Sequence, residues 1–409
     1  MSQNAFDILK ERGFIEQCTH EEELRELLGK ERVTFYNGYD PTADSLTAGH
    51  FLTLMALAHL QRAGHKPIVL MGSGTGMVGD PTDRTEMRRV MTRDEVDHNI
   101  ACQKKQFERF INFDGDGAVL VKNGDWLLDL KYVEFMRDYG VHFNVNKMLS
   151  ADTYKVRLES GLTFFEMNYM LMQAYDFLYL YRKYGCLLQV GGNDQWSNII
   201  SGAELIRKVE NAGAYALTYK LLTTADGRKM GKTAAGAVWL DATRTSPYEF
   251  FQYWRNTDDS TVIRDLKLLT FLPLEEINAM QNWEGSELNR AKEILAYEIT
   301  KIAHGEEEAD KALAASKAIF AGGGSGAGMP RTEIAAEELG EGMNIVLLLE
   351  KAKLIQTRSE GRRLIDQGGL KVNDIKVETY EHTVKPGDFK DGSVIVQKGK
   401  KVFHKVILM

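Results

Sequence analysis

Residues 33–71 read VTFYNGYDPTADSLTAGHFLTLMALAHLQRAGHKPIVLM, and the fold turns on this stretch. Residues 33–36 are an extended apolar run that Gly38 and Pro41 bring to an end. Across 49–63, Phe51, Leu54, Met55 and Ala58 recur at helical spacing, and Gly64 supplies a stop. Residues 67–71 are then a continuous apolar run, as expected of a strand buried on both faces. Strand, loop, helix, strand is a βαβ unit. Residues 186–190, followed by Gly191 and Gly192, supply a further strand of the same kind. The expected fold class is α/β, with a Rossmann-like parallel sheet in the N-terminal part.

Working outward, residues 5–28 have helix-like periodicity. Gly72, Gly74, Gly76 and Gly79 let the backbone after the second strand turn sharply or approach a ligand closely. Residues 86–110 predict a charged amphipathic helix, and 120–190 a mostly helical stretch. From 247 to 321, Leu, Ile and Phe recur at three- and four-residue intervals without a strand pattern, which predicts a helical domain. The run AGGGSGAG at 321–328 is too rich in glycine to pack as helix or strand and predicts a linker. Beyond it, helices are expected at 346–354 and 359–367, and short strands at 370–372, 393–397 and 402–408. The resulting division is a Rossmann-like domain with an insertion over 1–223, a loop and helical domain over 224–320, a linker over 321–342, and a small α+β domain over 343–409.

A chain of 409 residues with 44% hydrophobic content can bury a large core in more than one domain, so disorder of the whole is excluded. Cys18, Cys102 and Cys186 have neither paired nor metal-like spacing, which excludes a disulfide framework and a structural zinc site and predicts a reducing, cytoplasmic compartment. Charges interrupt the first thirty residues, and no apolar run reaches membrane-spanning length, so no membrane partner is expected. The net charge of −7 argues against a general nucleic-acid binder, yet it conceals an asymmetry. Residues 343–409 hold 13 Lys or Arg against 8 Asp or Glu, a basic tail on an acidic body.

Two segments carry chemistry. Residues 36–50, YNGYDPTADSLTAGH, lie between the first strand and its helix, where free N–H groups and the helix dipole attract anions. By itself His50 reads equally as a surface or capping residue. Residues 229–233, KMGKT, place two lysines three apart in a glycine-containing loop, suited to clamping a polyphosphate as charge develops. By itself this pair is a weak signal and reads first as solvated surface charge.

Together, T-A-G-H at 47–50 and K-M-G-K-T at 229–233 resemble the two signature motifs of class I aminoacyl-tRNA synthetases. Residues 38–46, Gly79-Asp80-Pro81, YMLMQAYD at 169–176 and QVGGNDQW at 189–196 further resemble the tyrosyl-tRNA synthetase family. The resemblance spans nearly the whole chain and includes a C-terminal module similar to an RNA-binding fold. It implies that Tyr36 and Asp176 read the substrate phenol, that Asp80, Tyr169 and Gln173 hold its ammonium, and that Gln195 lies near its carboxylate. It places Asn37, Gly38, Asp40, Gly49, His50, Gly192 and Asp194 about ATP, with Lys232. Thr42, Thr47, His50, Arg84, Arg88, Lys229, Lys232 and Thr233 fall on the pyrophosphate side.

The resemblance further implies tyrosine, ATP and tRNA(Tyr) as partners, Mg2+ arriving with ATP, no tightly bound cofactor, no dedicated metal site, and a homodimer with 120–160 at its contact. Thr47 and Ala48 depart from the first motif, where the family has histidine and an aliphatic residue. Arginines at 84 and 88 stand where a lysine and an arginine are usual. A tryptophanyl synthetase, an RNA-binding paralogue without catalysis and a plain nucleotidyltransferase are the rival readings.

Overall fold

Six strands form the central sheet: β1 (Ile15–Cys18), β2 (Thr34–Tyr39), β3 (Lys66–Met71), β4 (Val119–Lys122), β5 (Cys186–Gly192) and β6 (Tyr215–Tyr219). The computed structural model describes all residues except 1–2, 83–90, 228–229, 234–235, 321–330, 391 and 400–401. The strand order is β1-β6-β5-β2-β3-β4, with β2 to β6 mutually parallel and β1 antiparallel at the edge. β2 is followed in sequence by β3 on one side, yet its other neighbour is β5. The connections leaving β2 and β5 therefore diverge, and they open a crevice at the carboxyl ends of both strands, where ligands bind in open α/β sheets.

The 33–71 reading holds with small shifts: a single 3-10 turn, Ala48–His50, precedes the helix Phe51–Arg62. Elsewhere local signals misled. Residues 5–28 are two helices, Ala5–Arg12 and Glu21–Lys30, separated by β1. The first stops at Gly13, whose φ of 88° is left-handed and suits glycine. β4 and β6 escaped notice because short parallel strands carry no alternation of their own. The helix expected over 86–110 is Arg93–Phe107, started by a Thr92–Glu95 capping box; residues 86–90 lie outside the described part.

Each face of the sheet has its own cover. Tyr39 faces Phe51–Arg62, donating from its hydroxyl to Thr53 Oγ1 at 3.1 Å. On the opposite face Tyr36, Ile68 and Leu70 pack with Ala174, Phe177 and Leu178 of the 21-residue helix Phe164–Tyr184. That helix begins with a Thr163–Glu166 capping box and ends at Gly185 in the left-handed region. Glu166 also makes a buried bidentate pair with Arg157, at 2.9 and 3.0 Å. The helix start is thereby tied to the preceding helix, Asp152–Ser160.

All the elements between 247 and 320 are helical, as expected: Pro247–Arg255, Val262–Leu269, Leu274–Ala279, Gly285–His304 and Glu306–Phe320, with one 3-10 turn. They do not form one body. Residues 258–282 belong with 1–241, whereas 242–257 and 283–409 make up the second unit. Arg12 explains the attachment. Its guanidinium donates to the carbonyls of Lys267 (2.9 Å), Thr270 (3.0 Å) and Leu272 (2.7 Å), serving the end of a helix that has no intrahelical partners there. Arg62 stacks on Phe271, with its guanidinium carbon 3.3 Å from the ring centroid.

In the second unit, Phe250, Phe251 and Trp254 are buried among the long helices. A five-stranded sheet has the order Ile375–Lys376, Leu370–Val372, Ser393–Lys398, Val402–Leu408, Arg331–Ile334. Helices Ile345–Lys351 and Arg358–Asp366 share its apolar core. Arg331–Ile334 lies within the stretch read as linker and pairs in parallel with Val402–Leu408. Only Ile334 of those four residues is buried, so no periodicity announced the strand.

Replacing Arg12 by Met should destabilise the first unit by roughly 2–4 kcal/mol, because buried carbonyls lose a charged donor. Urea titration followed by a probe in that unit checks this; an unchanged midpoint would show that water serves those carbonyls equally well.

Candidate active site

The crevice between β2 and β5 gathers most of the described residues singled out in the sequence. Tyr36 lies on β2 in register with Gln189 of β5. Its ring meets Phe177 edge-on, with centroids 5.3 Å apart, and its buried hydroxyl has no hydrogen-bond partner. Burial, together with the Asp176 carboxylate, raises the Tyr36 hydroxyl well above the ordinary phenol range, so it stays a donor.

Asp176 is 1% exposed. It accepts from Asn123 Nδ2 at 2.9 Å and from Trp126 Nε1 at 2.8 Å. Burial pushes its carboxyl up to about 8, against the pull of those two donors and with a smaller upward push from Asp40. Asn123 and Trp126 were missed in the sequence. They follow β4 directly, and recognising that strand would have placed them at its carboxyl end. Trp126 is fixed by stacking on Tyr179 at 4.2 Å, and Asn123 Oδ1 accepts from the Gly74 N–H at 2.7 Å. Rigid neighbours thus aim the carboxylate.

Tyr169, Gln173 and Asp176 share one face of their helix, at i, i+4 and i+7. Tyr169 donates to Asp40 Oδ2 at 3.1 Å, and Thr75 Oγ1 donates to Asp40 Oδ1 at 3.1 Å. Asp40, expected beside the nucleotide, is therefore also linked to the helix that carries the amino-acid-side residues. A side chain at Gly72 would collide with this carboxylate, so the glycine here makes room. Gln173 Oε1 is buried without a partner. Asp80 accepts from Gln195 Nε2 at 2.7 Å and from the Thr82 hydroxyl at 2.6 Å. Asn198 in turn donates to Gln195 Oε1 at 3.1 Å. Two separate stretches of sequence thus join in one hydrogen-bonded chain, Thr82–Asp80–Gln195–Asn198.

Along the strand ends, Gly38 is exposed, while the neighbouring Asn37 is buried and its Oδ1 has no partner. A Cβ on Gly192 would stand 2.6 Å from Asp194 Oδ1, so only glycine permits the half-buried Asp194 its place. The preceding Asn193 is clamped by Gln17 of β1 (2.6 Å) and Thr218 of β6 (2.9 Å). Thr42 is exposed, its N–H bonded to Asp40 O.

At the first motif, the Thr47 N–H donates to His50 Nδ1 at 3.0 Å, with Thr47 Oγ1 3.1 Å from the same nitrogen. Nδ1 is then the unprotonated nitrogen, and Nε2 carries the hydrogen. Burial pushes the imidazole down to about 4, so His50 is neutral at pH 7. Thr47 thus orients the histidine that remains. The loop bearing K-M-G-K-T lies directly on this turn: a Cβ at Gly231, whose φ is +98°, would be 2.6 Å from the Gly49 nitrogen. Lys232–Thr233 pairs with Gly236–Ala237, which fixes the backbone there. Arg84, Arg88 and Lys229 lie outside the described residues, as do the side chains of Lys232 and Thr233.

Residues 28–321 match the sequence model of a family described as tRNA synthetases class I (W and Y), and 324–406 match a tyrosine–tRNA ligase SYY-like C-terminal domain. The chain is 59% identical to a tyrosine–tRNA ligase of Lachnoclostridium phytofermentans, over 99% of both chains. It is 57% identical to one of Acetivibrio thermocellus, over 99% of this chain and 100% of that protein.

The chain belongs to the tyrosyl-tRNA synthetase family.

It is accordingly an aminoacyl-tRNA ligase of class I. Among solved structures, a C-terminally truncated mitochondrial tyrosyl-tRNA synthetase of Aspergillus nidulans is similar at a TM-score of 0.70 and 31% identity, covering 78% of this chain and 94% of that one. A tyrosyl-tRNA synthetase of Archaeoglobus fulgidus, complexed with L-tyrosine, shares the fold at a TM-score of 0.59 and 21% identity, over 76% and 99%.

The raised carboxyl of Asp176 has a consequence for the ligand-free synthetase. Its folded value of about 8 exceeds the unfolded value of about 4, so the folded state binds the extra proton between these limits. Stability from this group is complete below about pH 4 and is lost progressively as pH rises towards 8. Asp176→Asn should therefore gain stability relative to the parent across that window and level off above it. Denaturant midpoints of both proteins at pH 5, 7 and 9 test this; a constant difference would place the carboxyl at an ordinary value.

Proposed function

We propose that the crevice activates tyrosine with ATP, forming tyrosyl-adenylate and pyrophosphate, and that the tyrosyl group is then transferred to the 3′ end of tRNA(Tyr). The observation that carries the tyrosine assignment is the pair at its base: a partnerless Tyr36 hydroxyl and an Asp176 carboxylate held by two donors. A phenol O–H can accept from the first and donate to the second. Phenylalanine leaves the buried Tyr36 hydroxyl unmatched and offers Asp176 no further donor, and an indole N–H offers no acceptor to Tyr36.

In this reading Asp80, Tyr169 and Gln173 receive the ammonium, and Gln195 lies by the carboxylate. Asn37, Gly38, Asp40, Gly49, Gly192 and Asp194 surround the nucleotide. Thr42, Thr47, His50, Arg84, Arg88, Lys229, Lys232 and Thr233 face the departing pyrophosphate. A carboxylate oxygen of tyrosine attacks the α-phosphorus in line, and the bond to pyrophosphate breaks. No side-chain nucleophile is needed, since positioning and charge stabilisation carry the step. A neutral His50 contributes a donor without a charge of its own. A ribose hydroxyl of the terminal nucleotide then attacks the adenylate carbonyl, releasing AMP. Mg2+ would enter with ATP, held mainly by phosphate oxygens, and would supply neutralisation of the phosphate charge.

The basic C-terminal module supplies tRNA affinity through phosphate contacts. Leu128, Tyr132, Val133, Val141, Val145, Phe164 and Phe165 are exposed on the first unit, and this apolar set supports a symmetric homodimer formed around 120–160. None of the described helices is long and apolar enough to cross a membrane. That, with three free cysteines, supports a cytoplasmic location.

ATP–pyrophosphate exchange with tyrosine, tryptophan and phenylalanine tests the assignment; exchange driven by tryptophan would overturn it. Tyr36→Phe and Asp176→Asn should each reduce the preference for tyrosine over phenylalanine by roughly 10- to 100-fold, the worth of a hydrogen bond involving a charged or buried group. Parental selectivity in both would remove the pair from the pocket. Deleting 329–409 should spare tyrosine activation and cost most of the tRNA charging. Equal loss of the two activities would instead make the tail a structural support.

A further inference from the structure

The Met230 N–H donates to Leu222 O at 2.8 Å, which closes a neck at the base of the segment that follows Leu222. The neck is gripped from two directions. On the His50 side the grip is all backbone: Ala48 donates to Val238 O (2.8 Å), Val238 donates to Gly231 O (2.9 Å), and Gly231 abuts Gly49. On the other side it is a guanidinium. Arg264 Nη2 donates to the carbonyl of Thr223, the first residue beyond the neck, at 2.8 Å. The same group donates from Nε (2.9 Å) and Nη2 (2.7 Å) to Oδ1 of Asp265, a residue with 0% exposure.

We infer that Arg264 is a positioning residue for the K-M-G-K-T loop, acting through the Thr223 carbonyl; this rests on the proposed role of that loop at the ATP phosphates. The carboxylate of Asp265 fixes the guanidinium in place, so little side-chain freedom is lost in holding Thr223. The anchor is firm at its other end too. Arg264 stands on Val262–Leu269, the helix whose carboxyl end Arg12 holds. The loop therefore starts from a fixed point on each side. A lysine has one compact ammonium and cannot match the planar fork that serves the carbonyl and the carboxylate together.

The tyrosine pocket, built on β2, β5 and Phe164–Tyr184, makes no use of this anchor. Arg264→Gln should therefore raise the KM for ATP and slow adenylate formation, about tenfold in kcat/KM, the worth of one hydrogen bond from a partly exposed charged group. Arg264→Lys should fall between the variant and the parent. Tyrosine affinity, measured by equilibrium binding without ATP, should stay within twofold. If tyrosine affinity falls in step with the ATP parameters, Arg264 merely supports the fold; if nothing changes, the loop needs no such anchor. Either result overturns the inference. Lys232→Ala is measured alongside. A normal adenylate rate in that variant would remove the loop from the phosphates and take this inference with it, whereas a slow Lys232→Ala beside an unchanged Arg264→Gln would reject the anchor alone.

Discussion

The parallel pairing of β2 with both β3 and β5 is the constraint on which the rest depends. A strand whose two neighbours are reached by connections running in opposite directions leaves an unfilled crevice at its carboxyl end. Every group argued to read tyrosine or to face ATP lies on, or follows, one of the strand ends opening there, or stands on a helix that covers the sheet. The strands need only apolar, both-faces-buried runs to form, and this leaves the loops after them free to carry polar residues without cost to the core.

Several polar side-chain atoms at the crevice are buried without a partner in the protein. Tyr36 Oη, Asn37 Oδ1, Gln173 Oε1 and Gln189 Oε1 are all buried without a partner. Such groups destabilise the folded chain. The long helix Phe164–Tyr184, capped at both ends and tied by the Arg157–Glu166 pair, offsets part of this by fixing the face on which Tyr169, Gln173 and Asp176 stand. Asn123 and Trp126 do the same for Asp176 from β4. The crevice thus combines unsatisfied groups with satisfied ones that keep them in place.

The glycines at 49 and 231 allow the two motif segments to touch through backbone, which no larger residue permits. Because that contact is independent of side chains, Thr47 and Ala48 can stand in the first motif without separating the segments. Thr47 takes up another task, presenting its N–H to His50.

The sequence by itself determined the βαβ start of the fold, the helical character of 247–320 and the basic charge of the tail, because apolar spacing, glycine and charge act locally along the chain. It also marked out the Tyr169, Gln173, Asp176 face, since helical periodicity brings i, i+4 and i+7 together without help from elsewhere. Only the tertiary structure decided the rest. β1, β4, β6 and Arg331–Ile334 are short strands whose formation depends on a neighbour's free hydrogen-bonding edge, and nothing in four or five residues records that neighbour. Asn123 and Trp126 became visible as Asp176's partners only once β4 stood beside β3. Residues 258–282 look like the helices that flank them, yet they join the other unit, because Arg12, some 250 residues away in sequence, donates to carbonyls that a helix end cannot satisfy internally.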